Sequence, residues 1–102
     1  MATLNINKDN FNELKSSEKP VLLDFYAKWC GPCRIVGPII DEIAAENPQY
    51  VVGKINIDNE QELAQEFGVF SIPTLIVLKN GEIAAKAVGA MPKERILELF
   101  ES

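Results

Sequence analysis

The chain has no histidine, two cysteines and one tryptophan in 102 residues. A structural zinc site takes four ligands, commonly cysteine or histidine, so this supply leaves such a site incomplete. Basic residues are also scarce: ten Lys and Arg stand against fifteen Asp and Glu, a net charge of −5. No basic patch is available to release counterions from a phosphate backbone, so no nucleic-acid partner is expected. No apolar stretch approaches the length that spans a bilayer, and no membrane role is expected. The start, Met1 to Asp9, has no basic segment followed by an apolar one and does not read as a signal peptide. Repeats, linkers and low-complexity segments are missing too. What remains, 47% hydrophobic and 25% charged, is an ordinary globular composition. It is enough for one domain over residues 1–102 with a single core. The expected compartment is a reducing cytoplasm.

What is present is concentrated in Trp29-Cys30-Gly31-Pro32-Cys33, which holds both cysteines and the tryptophan. Random placement of two cysteines gives this spacing in about 2% of cases, so chance is a poor account of it. Upstream, Val21 to Ala27 is an apolar run that reads as a buried strand. Downstream, Ile35, Val36, Ile39, Ile40 and Ile43 recur at helical spacing. The cysteines therefore sit where a strand hands over to a helix. Pro32 suits the first helical position, with Cys30 just before the helix and Cys33 in its first turn. Unpaired N–H groups and the positive end of the helix dipole favour a thiolate at Cys30. The thiolate is the form that attacks disulfides, so Cys30 is the candidate nucleophile. A structural disulfide closing so small a loop would contribute only about 2 kcal/mol, and nothing else in the chain needs stapling. Redox chemistry is the better reading of the pair.

In chain order, Thr3 to Ile6 reads as a short strand, followed by a helix capped by Asp9 or Asn10 with Phe11 and Leu14 inward. Strand Val21 to Ala27 leads into a helix from about Cys33 to Glu46, with a kink expected at Pro38. Strand Val51 to Ile57 is followed by a helix capped by Asn59 and ended by Gly68. Strand Thr74 to Leu78 turns at Asn80-Gly81, a two-residue hairpin signal, into strand Glu82 to Val88. Beyond Pro92 a last helix carries Ile96, Leu97, Leu99 and Phe100 as its apolar stripe. The order β-α-β-α-β-α-β-β-α is that of an α/β protein. It predicts a mixed five-stranded sheet, mostly parallel, flanked by about four helices.

Two charged residues fall inside this framework. Asp24 interrupts the buried strand, where desolvation raises a carboxyl pKa and makes it a candidate proton acceptor. A solvent-reaching or salt-bridged structural acid fits the pattern equally well. Lys54, in the neighbouring strand, either pairs with Asp24 and tunes its charge or is a snorkelling surface lysine.

With Asp24, Trp29-Cys30-Gly31-Pro32-Cys33, Pro38, Lys54, Asp58, Ile72-Pro73-Thr74, Asn80-Gly81 and Gly89 in these places, the chain resembles the thioredoxin family from about Leu4 to Phe100. Tyr26 stands where many members carry a second tryptophan. The resemblance implies the thioredoxin fold and a thiol–disulfide oxidoreductase that reduces disulfides in other proteins. Cys30 would attack, and Cys33 would resolve the mixed disulfide, leaving Cys30–Cys33 oxidised. Asp24 would take the proton from Cys33 through water, with Lys54 tuning it. A cis peptide before Pro73 would expose the backbone of Ile72 to an extended substrate segment. Trp29, Gly31, Pro32, Ile57, Ile72, Val88, Gly89 and Ala90 would line an apolar substrate groove. The partners implied are disulfide-containing proteins and a flavin-dependent thioredoxin reductase drawing on NADPH, with the chain a monomer. The chain has no nucleotide-binding glycine pattern, so no cofactor is expected on it.

Two other readings stand beside this one. An oxidant or isomerase on the same fold is disfavoured by Gly31-Pro32 between the cysteines and by the missing export signal. A binding or chaperone module on this fold would make the cysteines incidental.

Overall fold

In the computed structural model, which describes residues 3–102, the apolar run containing Asp24 is the central strand of a five-stranded sheet. The elements are β1 (Leu4–Asn5), α1 (Lys8–Lys15), β2 (Val21–Tyr26), α2 (Gly31–Glu46), β3 (Val51–Asn56), α3 (Gln61–Glu66), β4 (Thr74–Lys79), β5 (Glu82–Val88) and α4 (Lys93–Glu98). A 3-10 turn at Leu99–Glu101 follows the last helix. The strand order is β1-β3-β2-β4-β5. β1, β3 and β2 run parallel, and β4 and β5 are antiparallel to their neighbours. The expected element order and mixed sheet are both present, but the sheet is not mostly parallel: β4 as well as β5 runs against its neighbours, so two of the four pairings are antiparallel.

Alternation along β2 sets the two cores. Val21, Leu23 and Phe25 point to one face, where they meet Phe11 and Leu14 of α1 and Leu63 of α3. Leu22 points to the other, under Val36, Ile40 and Ile43 of α2 and Ile96 of α4. Asp24 shares that second face by the same alternation. Leu22, Leu23 and Phe25 are fully buried. Each such side chain contributes roughly 1.5–3 kcal/mol, and Leu22 with Val36, Ile40 and Ile43 holds α2 against β2 and so places the cysteines.

Close approaches and turns complete the frame. A Cβ at Gly53 would collide with Cδ1 and Cγ1 of Ile6, so glycine lets the end of β1 close over β3. Asn80 (φ 54°) and Gly81 (φ 81°) both take the left-handed region, as a two-residue hairpin between β4 and β5 requires. Gly68 ends the α3 segment as expected, with Val69 N–H donating to Ala64 O (2.9 Å) and Gly68 N–H to Gln65 O (3.0 Å).

Three local expectations are corrected. The cap of α1 is Asn7, whose side chain accepts from Asp9 N and Asn10 N at 2.9 Å, while Asn10 Oδ1 accepts from Asn7 N at 2.9 Å. Asn10 closes a capping box from the third helical position instead of capping the helix itself. Asn59 does not cap α3: Glu60 holds that place without a side-chain bond. Asn56 organises the turn there, its Oδ1 accepting from Asp58 N at 2.9 Å. Finally, α2 begins at Gly31, so Pro32 is its second residue. The first four helical N–H groups have no partner within the helix, so proline fits either place.

Candidate active site

Four residues carry the chain from β2 to α2. Cys30 N–H donates to Ala27 O at 3.2 Å. Arg34 clamps the turn, its Nε and Nη2 donating to Lys28 O at 3.2 and 2.9 Å. Cys30 thereby becomes the N-cap of α2 in extended backbone, and the Cys33 N–H donates to its Sγ at 3.2 Å. The two cysteines form a disulfide with Cα atoms 5.3 Å apart, and each is only 5% exposed. In the dithiol form the same N–H group and the positive helix end would stabilise a thiolate on Cys30.

The loop before β4 closes the other side. The Ile72–Pro73 peptide is cis, and the Ile72 carbonyl oxygen lies 3.8 Å from Cys30 Sγ. Pro73 is buried, and its carbonyl accepts from Gly89 N at 2.8 Å. Gly89, at φ 101°, makes the bend that lets the end of β5 reach Pro73. Val88 lies in register with Thr74. Ile57 and Ile72 pack on the cluster of Ala27, Cys30 and Cys33. The fold thus brings Cys30, Cys33, Ile57, Ile72, Pro73, Val88 and Gly89 into one neighbourhood. Gly31, Pro32 and Ala90 are exposed at its edge. Trp29 is 66% exposed yet fixed, its Nε1 donating to Asp58 Oδ2 at 2.9 Å.

Asp24 is buried, and its Oδ1 has no hydrogen-bond partner among the described residues. Burial pushes its carboxyl up to about 7; the Lys54 ammonium pulls the other way, and Asp41 adds a further upward push. The register sets Asp24 beside Lys54. The expected direct pairing is nevertheless not made: Lys54 Nζ turns to Asp41 Oδ1 (3.0 Å) and to Gly37 O (3.4 Å) on α2. An ion pair at the partly exposed Asp41 costs less desolvation than one beside a carboxylate shut in the sheet. Lys54 acts on Asp24 through space. A cleft of about 370 Å³, lined by Tyr26, Cys33, Gly37, Asp41 and Lys54, opens beside the second cysteine.

Sequence reasoning did not single out Asp41 or Phe70 and gave Asp58 only a structural place. Phe70, two residues before Ile72, is 96% exposed. Its signal was an aromatic outside any apolar periodicity. Asp41 falls on the solvated side of an amphipathic helix, where pattern alone calls a carboxylate bland.

The family model for thioredoxin matches residues 2–102. The thioredoxin of Mycoplasmoides gallisepticum is 40% identical over 95 residues, covering 93% of this chain and 95% of its own length. The thioredoxin of Haemophilus influenzae is 45% identical, covering 91% of this chain and 89% of its own. A bifunctional thioredoxin reductase/thioredoxin of Mycobacterium leprae is 47% identical over 88 residues, which cover 85% of this chain and 19% of that protein. A redox disulfide at a helix N-terminus, opposite a cis-proline loop on a mixed five-stranded sheet, accords with that match, and the chain belongs to the thioredoxin family of thiol–disulfide oxidoreductases.

Proposed function

We propose that the protein reduces disulfides in other proteins, with Cys30 as the attacking thiolate and Cys33 as the resolving thiol. The observation that carries this reading is the Cys33 N–H aimed at Cys30 Sγ at the N-terminus of α2. Cys30 thiolate attacks one sulfur of the substrate disulfide, and the other substrate sulfur leaves as a thiolate that takes up a proton. Cys33 then gives its proton to the Asp24 carboxylate through water, and its thiolate attacks Cys30 Sγ. The mixed disulfide breaks, the substrate leaves with both cysteines reduced, and Cys30–Cys33 holds the disulfide. A carboxyl at about 7 suits this exchange, because near neutral pH it is present as both acid and base.

Substrate recognition follows from the same neighbourhood. The Ile72 backbone pairs with an extended segment of the partner, and Trp29, Gly31, Pro32, Ile57, Pro73, Val88, Gly89 and Ala90 supply apolar contact around it. Lys54 tunes Asp24 from β3, its ammonium held by Asp41 and Gly37 of α2. A separate thioredoxin reductase, flavin-dependent and fed by NADPH, returns the dithiol; the reductase fused to the Mycobacterium leprae relative supports such a partner. The reading is of one domain over residues 1–102, a monomer working in the cytoplasm, where thiols are kept reduced.

The test is the midpoint potential of the Cys30–Cys33 couple, followed by Trp29 fluorescence in defined thiol buffers. A value near −270 mV, about that known for thioredoxin, is expected. A value nearer −180 or −120 mV, roughly those of isomerase and oxidant relatives, would overturn the reductase assignment.

A further inference from the structure

The odd feature of the site is a lysine that does not pair with the carboxylate beside it. Asp24 and Lys54 are register partners on adjacent strands, and Asp24 Oδ1 is buried without a hydrogen-bond partner among the described residues. Lys54 Nζ instead lies 3.0 Å from Asp41 Oδ1 and 3.4 Å from Gly37 O, one helical turn apart on α2. Asp41 is itself held, since its Oδ1 also accepts from Thr3 Oγ1 at 3.2 Å. A mobile lysine beside an unsatisfied buried carboxylate would ordinarily turn to it, unless something else holds the ammonium.

We propose that Asp41 is a positioning residue of the dithiol site: by anchoring the Lys54 ammonium on α2, it keeps that cation off Asp24 and leaves the buried carboxylate free to exchange a proton with Cys33. The inference rests on the proton-acceptor reading of Asp24 given above. The charged and titratable groups around Asp24 are Lys54 from β3 and Asp41 from α2. Tyr26, Lys28, Cys33 and Arg34 complete the cleft that Asp41 and Lys54 share. From β4, Leu75 stands in register with Asp24 and brings no charge. From α4, Ile96 packs on this face.

The consequence is directional. With the anchor gone, Lys54 swings to Asp24, and the carboxyl titrates at lower pH. Its ionised form is then ion-paired and a weaker base. The whole protein carrying Asp41→Asn is compared with wild type, Asp41→Glu, Lys54→Gln and the double variant. Asp24 titration is followed by NMR of its side-chain carbon, and resolution of a mixed disulfide is followed by stopped flow. Asp41→Asn is expected to lower the Asp24 midpoint by roughly one pH unit, with Asp41→Glu restoring it. In the Lys54→Gln background the same change is expected to move the midpoint by less than a third as much.

An equal downward shift in both backgrounds would mean that Asp41 acts by its own field, and would overturn the anchoring. So would an unmoved midpoint in Asp41→Asn. The acid limb of the resolution rate separates this inference from the one beneath it. If the Asp24 midpoint moves and the limb moves with it, both stand. If the midpoint moves and the limb does not, the anchoring stands and Asp24 loses its place as proton acceptor.

Discussion

Trp29 and Asp58 are joined by a hydrogen bond of 2.9 Å from the indole Nε1 to the carboxylate Oδ2, although both residues are exposed. The bond ties the residue before Cys30 to the turn after β3, so an aromatic that would otherwise sample several rotamers is held in one. Holding it before a partner arrives spares the ordering cost of binding. Asp58→Ala is expected to lower the fluorescence anisotropy of Trp29 while changing stability by less than about 1 kcal/mol. Reduction of a protein disulfide should slow by roughly two- to fivefold, an effect of about 0.5–1 kcal/mol on the barrier, with a small-molecule disulfide much less affected. Equal losses on both substrates would assign the bond to the chemistry of the cysteines instead of to the grip on the partner.

Cys33→Ser removes the resolving thiol but keeps Cys30 at the cap of α2. Mixed disulfides between Cys30 and partner proteins are expected to accumulate, visible as adducts that collapse on adding reductant. Cys30→Ser should form none, because the sulfur at the cap of α2, which the Cys33 N–H and the helix end favour as a thiolate, is lost with Cys30. Equal adduct yields from the two variants would reverse the roles.

Asp24 makes stability depend on pH in an unusual sense. Its carboxyl is raised from 3.8 to about 7 in the folded chain, so the native state holds a proton that the unfolded state has released. Its contribution is favourable below about pH 4, is lost progressively as pH rises to about 7, and is flat above that. Three pH units correspond to roughly 4 kcal/mol as an upper figure. Asp24→Asn is therefore expected to raise stability at pH 8 by up to about that amount and to change it little at pH 4. Urea unfolding at the two pH values checks this. The same variant should slow mixed-disulfide resolution by on the order of 10- to 100-fold. A stability gain of equal size at both pH values would show that ionisation of Asp24 is not its source.

Gly53→Ala places a methyl against Ile6, a 4% exposed core residue with little room to turn aside. A loss of roughly 1–3 kcal/mol is expected, in the range of overpacked cores. Ile6→Val in the same chain removes the Cδ1 that collides and should recover part of the loss. Denaturant midpoints of the single and double variants decide it, and additive losses would mean that the two residues do not share the space.

Much of this protein is local and therefore legible in its sequence. Asn80-Gly81 can take left-handed backbone cheaply, so the β4–β5 hairpin follows from two residues. Gly68 ends the α3 segment for the same reason. The apolar run at Val21 to Ala27 and the helical spacing after Cys33 put the cysteines at a strand-to-helix junction before any contact is considered. Helix caps were the exceptions among local features: at α1, Asn7, Asp9 and Asn10 all have capping chemistry and only backbone direction chooses among them, and at α3 Glu60 takes the place expected of Asn59.

The set of elements and the chemical pair at Cys30 and Cys33 are legible from residue order alone. Periodicity and turn residues act within a few positions of one another, and they suffice for that. The tertiary structure alone decided where Lys54 points, which partner holds Trp29, and that the Ile72 carbonyl stands over Cys30. Those outcomes depend on packing between segments distant in the chain. A long, flexible cation is assigned by the competition between a buried carboxylate and a more exposed one, and that competition exists only once α2 lies across the sheet.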